Sequence, residues 1–464
     1  MPSLTPTRIA KSLGCPHYWY LECHGDPAEK VEPDVGALRR MAAGVEHEKA
    51  MLATLDEYSE PEWDGHDWDA GAAATIELMR EGVEWIYQGV LVGEELRGLA
   101  DFLHRVEEPS DLGLYSYIPI DAKNHKEVQA ADTDQLASYA RLLEPILGRR
   151  PKRGGVWLNT AEIEEVDLAS LKSRLDQQVE SMLRIRDGQE ETAGLRCGEC
   201  GTCGWIEHCD AKWEEEHNVC AVYGVSGDRA RKLYDAGVQT WDELAAADPE
   251  ELVTRLGGGL PTPQKRQLLA RARVENRPIP IADAEWPSGG PIVHYDIETY
   301  GPTTYLHGLV LLDGERREER SFLARRPDEE AEAWHAFLEY MADLEGAIVW
   351  HWASYERGHV DSLRERHGGS DAGWRVLDSG MRDMCKFVKD HWALPVYSYG
   401  IKTVAPLFGF EWQAEDAGGL NSEVWYGEWL EDGDGEVLEK ILEYNLDDVR
   451  AMEAIYDGLR DATP

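Results

Sequence analysis

An apolar run that ends in a charged pair, Tyr117-Ile118-Pro119-Ile120-Asp121-Ala122-Lys123, constrains this chain more than any other feature. Side chains alternate faces along a strand, so Asp121 and Lys123 share one face and Ala122 takes the other. Charges at the end of an apolar strand are costly unless that end opens on a polar site. The run therefore reads as a strand whose end can carry chemistry, in a chain whose alternating helical and strand-like stretches suggest an α/β fold. Just upstream, Leu96-Arg97-Gly98-Leu99-Ala100-Asp101-Phe102-Leu103 reads as a second strand with one acid among apolar residues. Asp101 and Asp121 are thus candidates to hold a hard cation such as Mg²⁺ or Mn²⁺.

Lys123 would stand beside a phosphate at such a cation, orienting water or offsetting developing charge. Asp134-Gln135-Leu136-Ala137-Ser138-Tyr139 follows on a predicted helix, where Gln135 and Tyr139 are four apart and share a face. Upstream, Gly44-Val45-Glu46-His47-Glu48 opens another helical stretch, with His47 as a further candidate metal ligand. Any one of these residues alone would read as a solvated charge or a cap. Their order within a hundred residues, in a chain with only fourteen lysines, is what carries weight.

A length of 464 residues exceeds one ordinary core, and the chain divides at its punctuation. Residues 1–195 alternate helical stretches with strand-like runs such as Trp85–Val92 and Tyr115–Ile120. Residues 196–220 hold a cysteine cluster, and residues 221–280 read as short helices broken by glycines. Within a linker, Arg277-Pro278-Ile279-Pro280 is followed by Trp286-Pro287-Ser288-Gly289-Gly290. Residues 291–460 restart on an apolar strand, Pro291–Tyr295, and end on a long helix, Gly435–Leu459. No membrane-length apolar run and no secretory leader is visible, so the expected location is cytoplasmic.

That last segment carries a second acidic set. In Ile292-Val293-His294-Tyr295-Asp296-Ile297-Glu298-Thr299, Asp296 and Glu298 face one side of a strand, as cation chelation requires. On the final helix, Tyr444 and Asp448 are four apart and share a face. Between them, Trp350-His351-Trp352-Ala353-Ser354-Tyr355-Glu356 places Glu356 as a further candidate ligand; Asp383 and Tyr399-Gly400-Ile401-Lys402 follow. The middle segment Tyr223–Val238 resembles a helix-hairpin-helix element, whose glycines let backbone N–H groups approach a phosphate; a small helical spacer is the plainer alternative.

Residues 1 to about 275 resemble the RecB-like nucleases of the PD-(D/E)xK type that carry an iron–sulfur cluster, a group including AddB-type helicase-nucleases and CRISPR-associated exonucleases. The resemblance implies a mixed sheet flanked by helices, metal ligation by His47, Asp101 and Asp121, catalysis by Lys123, and support from Gln135 and Tyr139. It departs where the family often shows a longer acidic or aromatic signature before its lysine. Residues 291–460 resemble the YprB-like RNase H-fold domain of the DEDD exonucleases in its Tyr-x3-Asp form, implying metal ligation by Asp296, Glu298, Glu356 and Asp448 with Tyr444 catalytic. Glu356 stands where that family has aspartate, which puts activity there in doubt.

Cys200, Cys203 and Cys209 have the spacing C-x2-C-x5-C, which can wrap three corners of an iron–sulfur cluster. The resemblance implies a fourth ligand from a Cys-Pro dipeptide near the N-terminus, and Cys15-Pro16 fits that place. Cys23 or Cys197 as the fourth ligand, and a local Zn²⁺ site instead of a [4Fe–4S] cluster, stay open. Cys220 and Cys385 read as buried thiols.

The charge balance runs against a nucleic-acid partner: 89 acidic residues face 47 basic ones, a net of −42. Diffuse acidity with scarce lysine resembles proteins of halophilic archaea, where salt at about 1 M shortens the Debye length to about 3 Å and screens the repulsion. The expected function is therefore a metal-dependent nuclease acting on nucleic acid, DNA rather than RNA, by exonuclease-like end processing in repair or recombination. No P-loop is visible, so any helicase is a separate partner. The competing readings are a non-catalytic nucleic-acid-binding scaffold and a redox protein built on the cysteines.

Overall fold

The structure, a computed structural model, describes residues 2–33, 35–256, 262–413 and 421–462. It comprises two compact units, Met1–Ala211 and Lys212–Pro464. Residues 257–261 of the segment expected as short helices lie outside the described residues.

In the first unit, helices α1 (Pro6–Gly14), α2 (Pro16–His24), α3 (Val35–Leu52) and α4 (Trp68–Glu81) precede a five-stranded sheet. α1 and α2 each begin on proline, whose fixed φ suits a first helical position and whose missing N–H costs nothing there. The strands β1 (Trp85–Val92), β2 (Arg97–Val106), β3 (Ser116–Lys123), β4 (Arg153–Leu158) and β5 (Ile163–Asp167) lie in chain order. All neighbours are antiparallel except β3 and β4, which run parallel. A parallel pair needs a crossover, here α5 (Ala130–Leu147), and α6 (Lys172–Arg186) and α7 (Ile206–Glu215) follow.

β1 coincides with the expected run, whereas β3 starts one residue later than expected and continues through Lys123. Residues 116–121 of β3 are all buried, which explains a near-continuous apolar run rather than an alternating one. Only the last two residues, Ala122 and Lys123, are half-exposed, so the charged end opens at the sheet's rim. Leu103, Tyr117, Val156 and Leu158 pack with Leu136, Ala140 and Leu143 of α5 in one core cluster.

The second unit starts with α8 (Asp228–Asp235), α9 (Trp241–Ala246), α10 (Pro249–Leu256) and α11 (Pro263–Glu275), followed by β6 (Ile279–Pro280). Gly224 and Gly227 precede α8 with φ of 77° and 54°, a left-handed region that glycine enters without strain. Next come β7 (Ile292–Tyr300), β8 (Thr303–Asp313), β9 (Arg316–Leu323), α12 (Glu330–Ala342), β10 (Ile348–His351), α13 (Tyr355–His367), α14 (Asp371–Gly380) and β11 (Met381–Asp383). α15 (Met384–His391), β12 (Trp392–Ala393), α16 (Ile401–Val404), α17 (Asn421–Asp432) and α18 (Gly435–Asp461) complete the chain. The main sheet has the order β11-β10-β7-β8-β9, with β7 to β9 antiparallel and β10 and β11 parallel to β7.

The stretch that reads as a linker is anchored. Ile279–Pro280 pairs antiparallel with Trp392–Ala393, and the Trp286 ring lies 4.8 Å from both Phe387 and Tyr456 and 5.6 Å from Trp392. Proline and glycine mark a bend there, but an aromatic residue between them finds its partners only in the folded chain.

β7 sits at the centre of its sheet, and alternation divides its side chains. Val293, Tyr295 and Ile297 enter a core with Trp334, Phe337, Leu338 and Met341 of α12. His294, Asp296 and Glu298 face the other way, toward α18. The approach of α18 depends on Gly308 of β8, which pairs with Asp296. A Cβ at Gly308 would stand 1.7 Å from Asn445 Oδ1, and Asn445 is fully buried. Gly308→Ala should therefore destabilise the protein by about 1–3 kcal/mol through overpacking, read as a lower denaturation midpoint by circular dichroism at unchanged slope.

Candidate metal sites

In the second unit, Asp296, Glu298 and Asp448 each bring a carboxylate oxygen within 4.8 Å of the other two. The first two come from one strand face and the third from the helix across it. Among the described residues this is the one group of three or more such ligands gathered so closely. Donors answer each acid. Asn445 Nδ2 donates to Asp296 Oδ2 at 2.8 Å, the Ser422 hydroxyl donates to Glu298 Oε2, and Trp412 Nε1 donates to Asp448 Oδ1 at 2.6 Å. Lys402 Nζ donates to the Tyr444 hydroxyl at 3.0 Å.

The electrostatics follow from crowding. Burial, then the charges of Glu298 and Asp448, hold the Asp296 carboxyl well above the ordinary range. Burial pushes Glu298 up to about 8, with Asp448 adding and the Ser422 hydroxyl opposing. Asp448 is raised by burial, and the Lys402 ammonium offsets part of that. Burial raises the Tyr444 phenol as well, followed by Asp448. Hard oxygen ligands that repel one another are the donor set a divalent cation satisfies, so these residues fit one.

Glu356 behaves differently from the other expected ligands. It lies in the first turn of α13, 3% exposed, with Oε2 3.4 Å from His351 Nδ1. Its charge acts on Asp296, but its carboxylate is not one of the three gathered atoms. Asp383 caps α15 by accepting from Lys386 N at 2.8 Å.

In the first unit, β2 and β3 bring Asp101 and Asp121 together. Ala122 N donates to Asp101 Oδ2 at 2.9 Å, and burial followed by the Asp121 charge keeps the Asp101 carboxyl well above its usual range. Lys123 Nζ is 2.8 Å from Asp121 Oδ2, an ion pair without the angle of a directed hydrogen bond. Burial works against the Lys123 charge, yet the Asp121 carboxylate more than offsets it and its pKa rises. The buried Tyr139 hydroxyl donates to Leu99 O; burial raises its pKa first, then Asp101, Asp121 and Glu48. Gln135 turns to α1, with Nε2 3.1 Å from Thr7 Oγ1.

On α3, His47 Nε2 lies 3.4 Å from the carbonyl oxygen of Trp157. The α3 residue whose charge acts on Asp101 is its neighbour Glu48, which accepts from Gln88 Nε2. Gln88 holds a φ of 51° inside β1, an uncommon conformation for a residue with a Cβ. A positive φ leaves no trace at a glutamine codon position, so neither residue stood out in the sequence.

The cysteines do not close a ligand set. Cys197 Sγ and Cys200 Sγ are 3.9 Å apart, and the Cys15 thiol is lowered chiefly by a hydrogen bond with Cys197. The charges of Cys200 and Cys203 also act on Cys15. Burial raises Cys23 to about 11, with Arg186, Arg8 and Glu22 as its charged neighbours rather than the other cysteines. Among the described residues no three sulfurs lie within 4.8 Å of one another, so no iron–sulfur ligand cluster is evident. The thiol beside Cys15 is that of Cys197, whereas the expected set was Cys15, Cys200, Cys203 and Cys209.

Proton linkage gives the acidic triad a signature. A raised carboxyl pKa means that the folded site holds protons which a cation must displace. Mn²⁺ binding at the triad should tighten as pH rises from 6 toward 8, through the region where Glu298 titrates, with proton release. Calorimetry in two buffers of different ionisation enthalpy checks this; affinity independent of pH would contradict it.

Comparison with curated proteins gives no match. The sequence model of the RNase H superfamily matches residues 293–460, from β7 to the end of α18, and leaves the N-terminal unit unassigned. The C-terminal α/β domain, with its Asp296–Glu298–Asp448 cluster, is an RNase H superfamily domain.

Proposed function

We propose that this chain is a metal-dependent nuclease that hydrolyses phosphodiester bonds of nucleic acid, DNA rather than RNA, working from strand ends. The observation that carries the proposal is the gathering of Asp296, Glu298 and Asp448 within 4.8 Å on the matched domain. Asp296, Glu298 and Asp448 would hold a divalent cation, which would supply Lewis acidity toward a phosphoryl oxygen and a bound water. Tyr444, beside Asp448, would orient the attacking water; as its oxygen bonds to phosphorus the P–O bond to the sugar breaks, the water gives up a proton and the leaving sugar oxygen takes one from solvent. Glu356, off the triad beside His351, favours a second reading in which this domain binds nucleic acid without cutting it.

The proposal extends to the first unit as a second nuclease site. The Asp101–Asp121 pair with Lys123 at 2.8 Å supports it, and Asp101, Asp121 and His47 or Glu48 would be the cation's ligands. Gln135 and Tyr139 would support that site from α5. It also extends to a [4Fe–4S] cluster at the cysteines, with Zn²⁺ as the alternative. The two close pairs that share Cys197, with Cys15 and with Cys200, support sulfur ligation there.

The assay is cleavage of end-labelled single- and double-stranded DNA and RNA with Mg²⁺ or Mn²⁺, at about 1 M salt so that the −42 net charge is screened. Asp296→Asn should lower turnover at least about a hundredfold if the C-terminal domain cuts, and Asp121→Asn should do so if the first unit cuts. A wild type as inert as both variants on all substrates leaves the binding reading. Elemental analysis after anaerobic purification should find iron and sulfide in near-equal amounts, falling in Cys197→Ser; zinc alone would replace the cluster by a zinc site.

A further inference from the structure

Lys402 is a positive charge placed among acids that chelate. Its Nζ donates to the Tyr444 hydroxyl at 3.0 Å, and it stands 4.6 Å from the centre of the Tyr444 ring and 5.9 Å from that of Trp412. An ammonium group only donates, so the Tyr444 oxygen must accept from it. The phenol's own hydrogen is then directed to Asp448, with which Tyr444 is hydrogen-bonded. Trp412 Nε1 holds the other side of the same carboxylate at 2.6 Å. Lysine, phenol, carboxylate and indole thus form a closed arrangement around one metal ligand.

Two-metal hydrolytic sites place a second cation about 3.5–4 Å from the first, where it stabilises attacking or leaving oxygen. Each such cation completes its shell with waters and substrate oxygens besides carboxylates. Among the described residues three carboxylates gather, and Glu356, whose charge also acts on Asp296, has Oε2 3.4 Å from His351 Nδ1 without a hydrogen bond between them. The field of Lys402 reaches all three triad acids: Asp296, Glu298 and Asp448 each interact with it electrostatically.

We propose that Lys402 takes the part of a second cation at the Asp296–Glu298–Asp448 site, so that the site holds one divalent metal ion and a fixed ammonium positioned through Tyr444. The inference rests on the nuclease reading for its consequence but not for its geometry. A fixed charge beside a metal position has two opposite effects. It repels the metal ion, weakening its binding; it also stabilises negative charge that builds on a phosphoryl group, speeding the reaction.

These effects separate in Lys402→Met, which keeps the stem's volume and loses the charge. Mn²⁺ bound to the triad is counted by electron paramagnetic resonance as the difference between wild type and Asp448→Asn, with thermal denaturation confirming that each variant folds. The expected result is one Mn²⁺ per chain in that difference. Lys402→Met should bind that ion roughly threefold or more tightly, while kcat falls about a hundredfold and KM changes little. Lys402→Arg should restore wild-type Mn²⁺ affinity and part of kcat. Two ions in the difference, or metal affinity and turnover falling together in Lys402→Met, would overturn the assignment. Should wild type cleave no substrate, the nuclease reading fails on its own; the ion count and the affinity shift still decide whether Lys402 stands as the second charge.

Discussion

Like charges held together out of water set the terms for the C-terminal domain. Two carboxylates about 4 Å apart repel by about 4 kcal/mol at an effective dielectric near 20, and three make three such pairs. A hydrogen bond to a charged group contributes about 1.5–3 kcal/mol. The donors from Asn445, Ser422 and Trp412 therefore cannot by themselves stabilise three ionised acids at Asp296, Glu298 and Asp448. The site must hold protons or a cation: burial first, and for Asp296 and Glu298 the neighbouring acids as well, displaces all three carboxyls upward. The donors arrive from α18, from the start of α17 and from the stretch before it, so the acids of β7 and α18 gather three parts of the chain around one site.

The first unit meets the same problem with different means. Its buried pair, Asp101 and Asp121, has an ammonium built in two residues away on the same strand face, and Lys123 lies against Asp121. One carboxyl of the pair, Asp101, is left strongly displaced upward. In both units a lysine stands beside buried acids, in a chain where lysine is rare. Against a net charge of −42, each offsets locally part of the field that a polyanion would otherwise meet.

Periodicity made much of this visible in advance. A period of two placed Asp121 with Lys123 and Asp296 with Glu298; a period of 3.6 placed Tyr444 with Asp448. Those relations survive in the structure because they are properties of a single strand or a single turn of helix. The same reasoning located β1 to the residue and the final helix to within two. It did not find Asn445, Ser422 or Trp412, whose partners lie 149, 124 and 36 residues away. It also named Lys402 without a role, and His47 without its neighbour Glu48.

What the sequence determined by itself, then, is which residues share a face and which strand ends are charged, because covalent geometry and backbone periodicity act over a few residues. What only the tertiary structure decided is what each face meets. The expected linker residue Trp286 became an aromatic anchor. Gly308 proved to be the gap through which Asn445 reaches Asp296, and Glu356 came to lie beside His351, outside the three gathered carboxylates. Those outcomes depend on close packing between elements far apart in the chain, where a single missing Cβ decides whether two polar groups can touch.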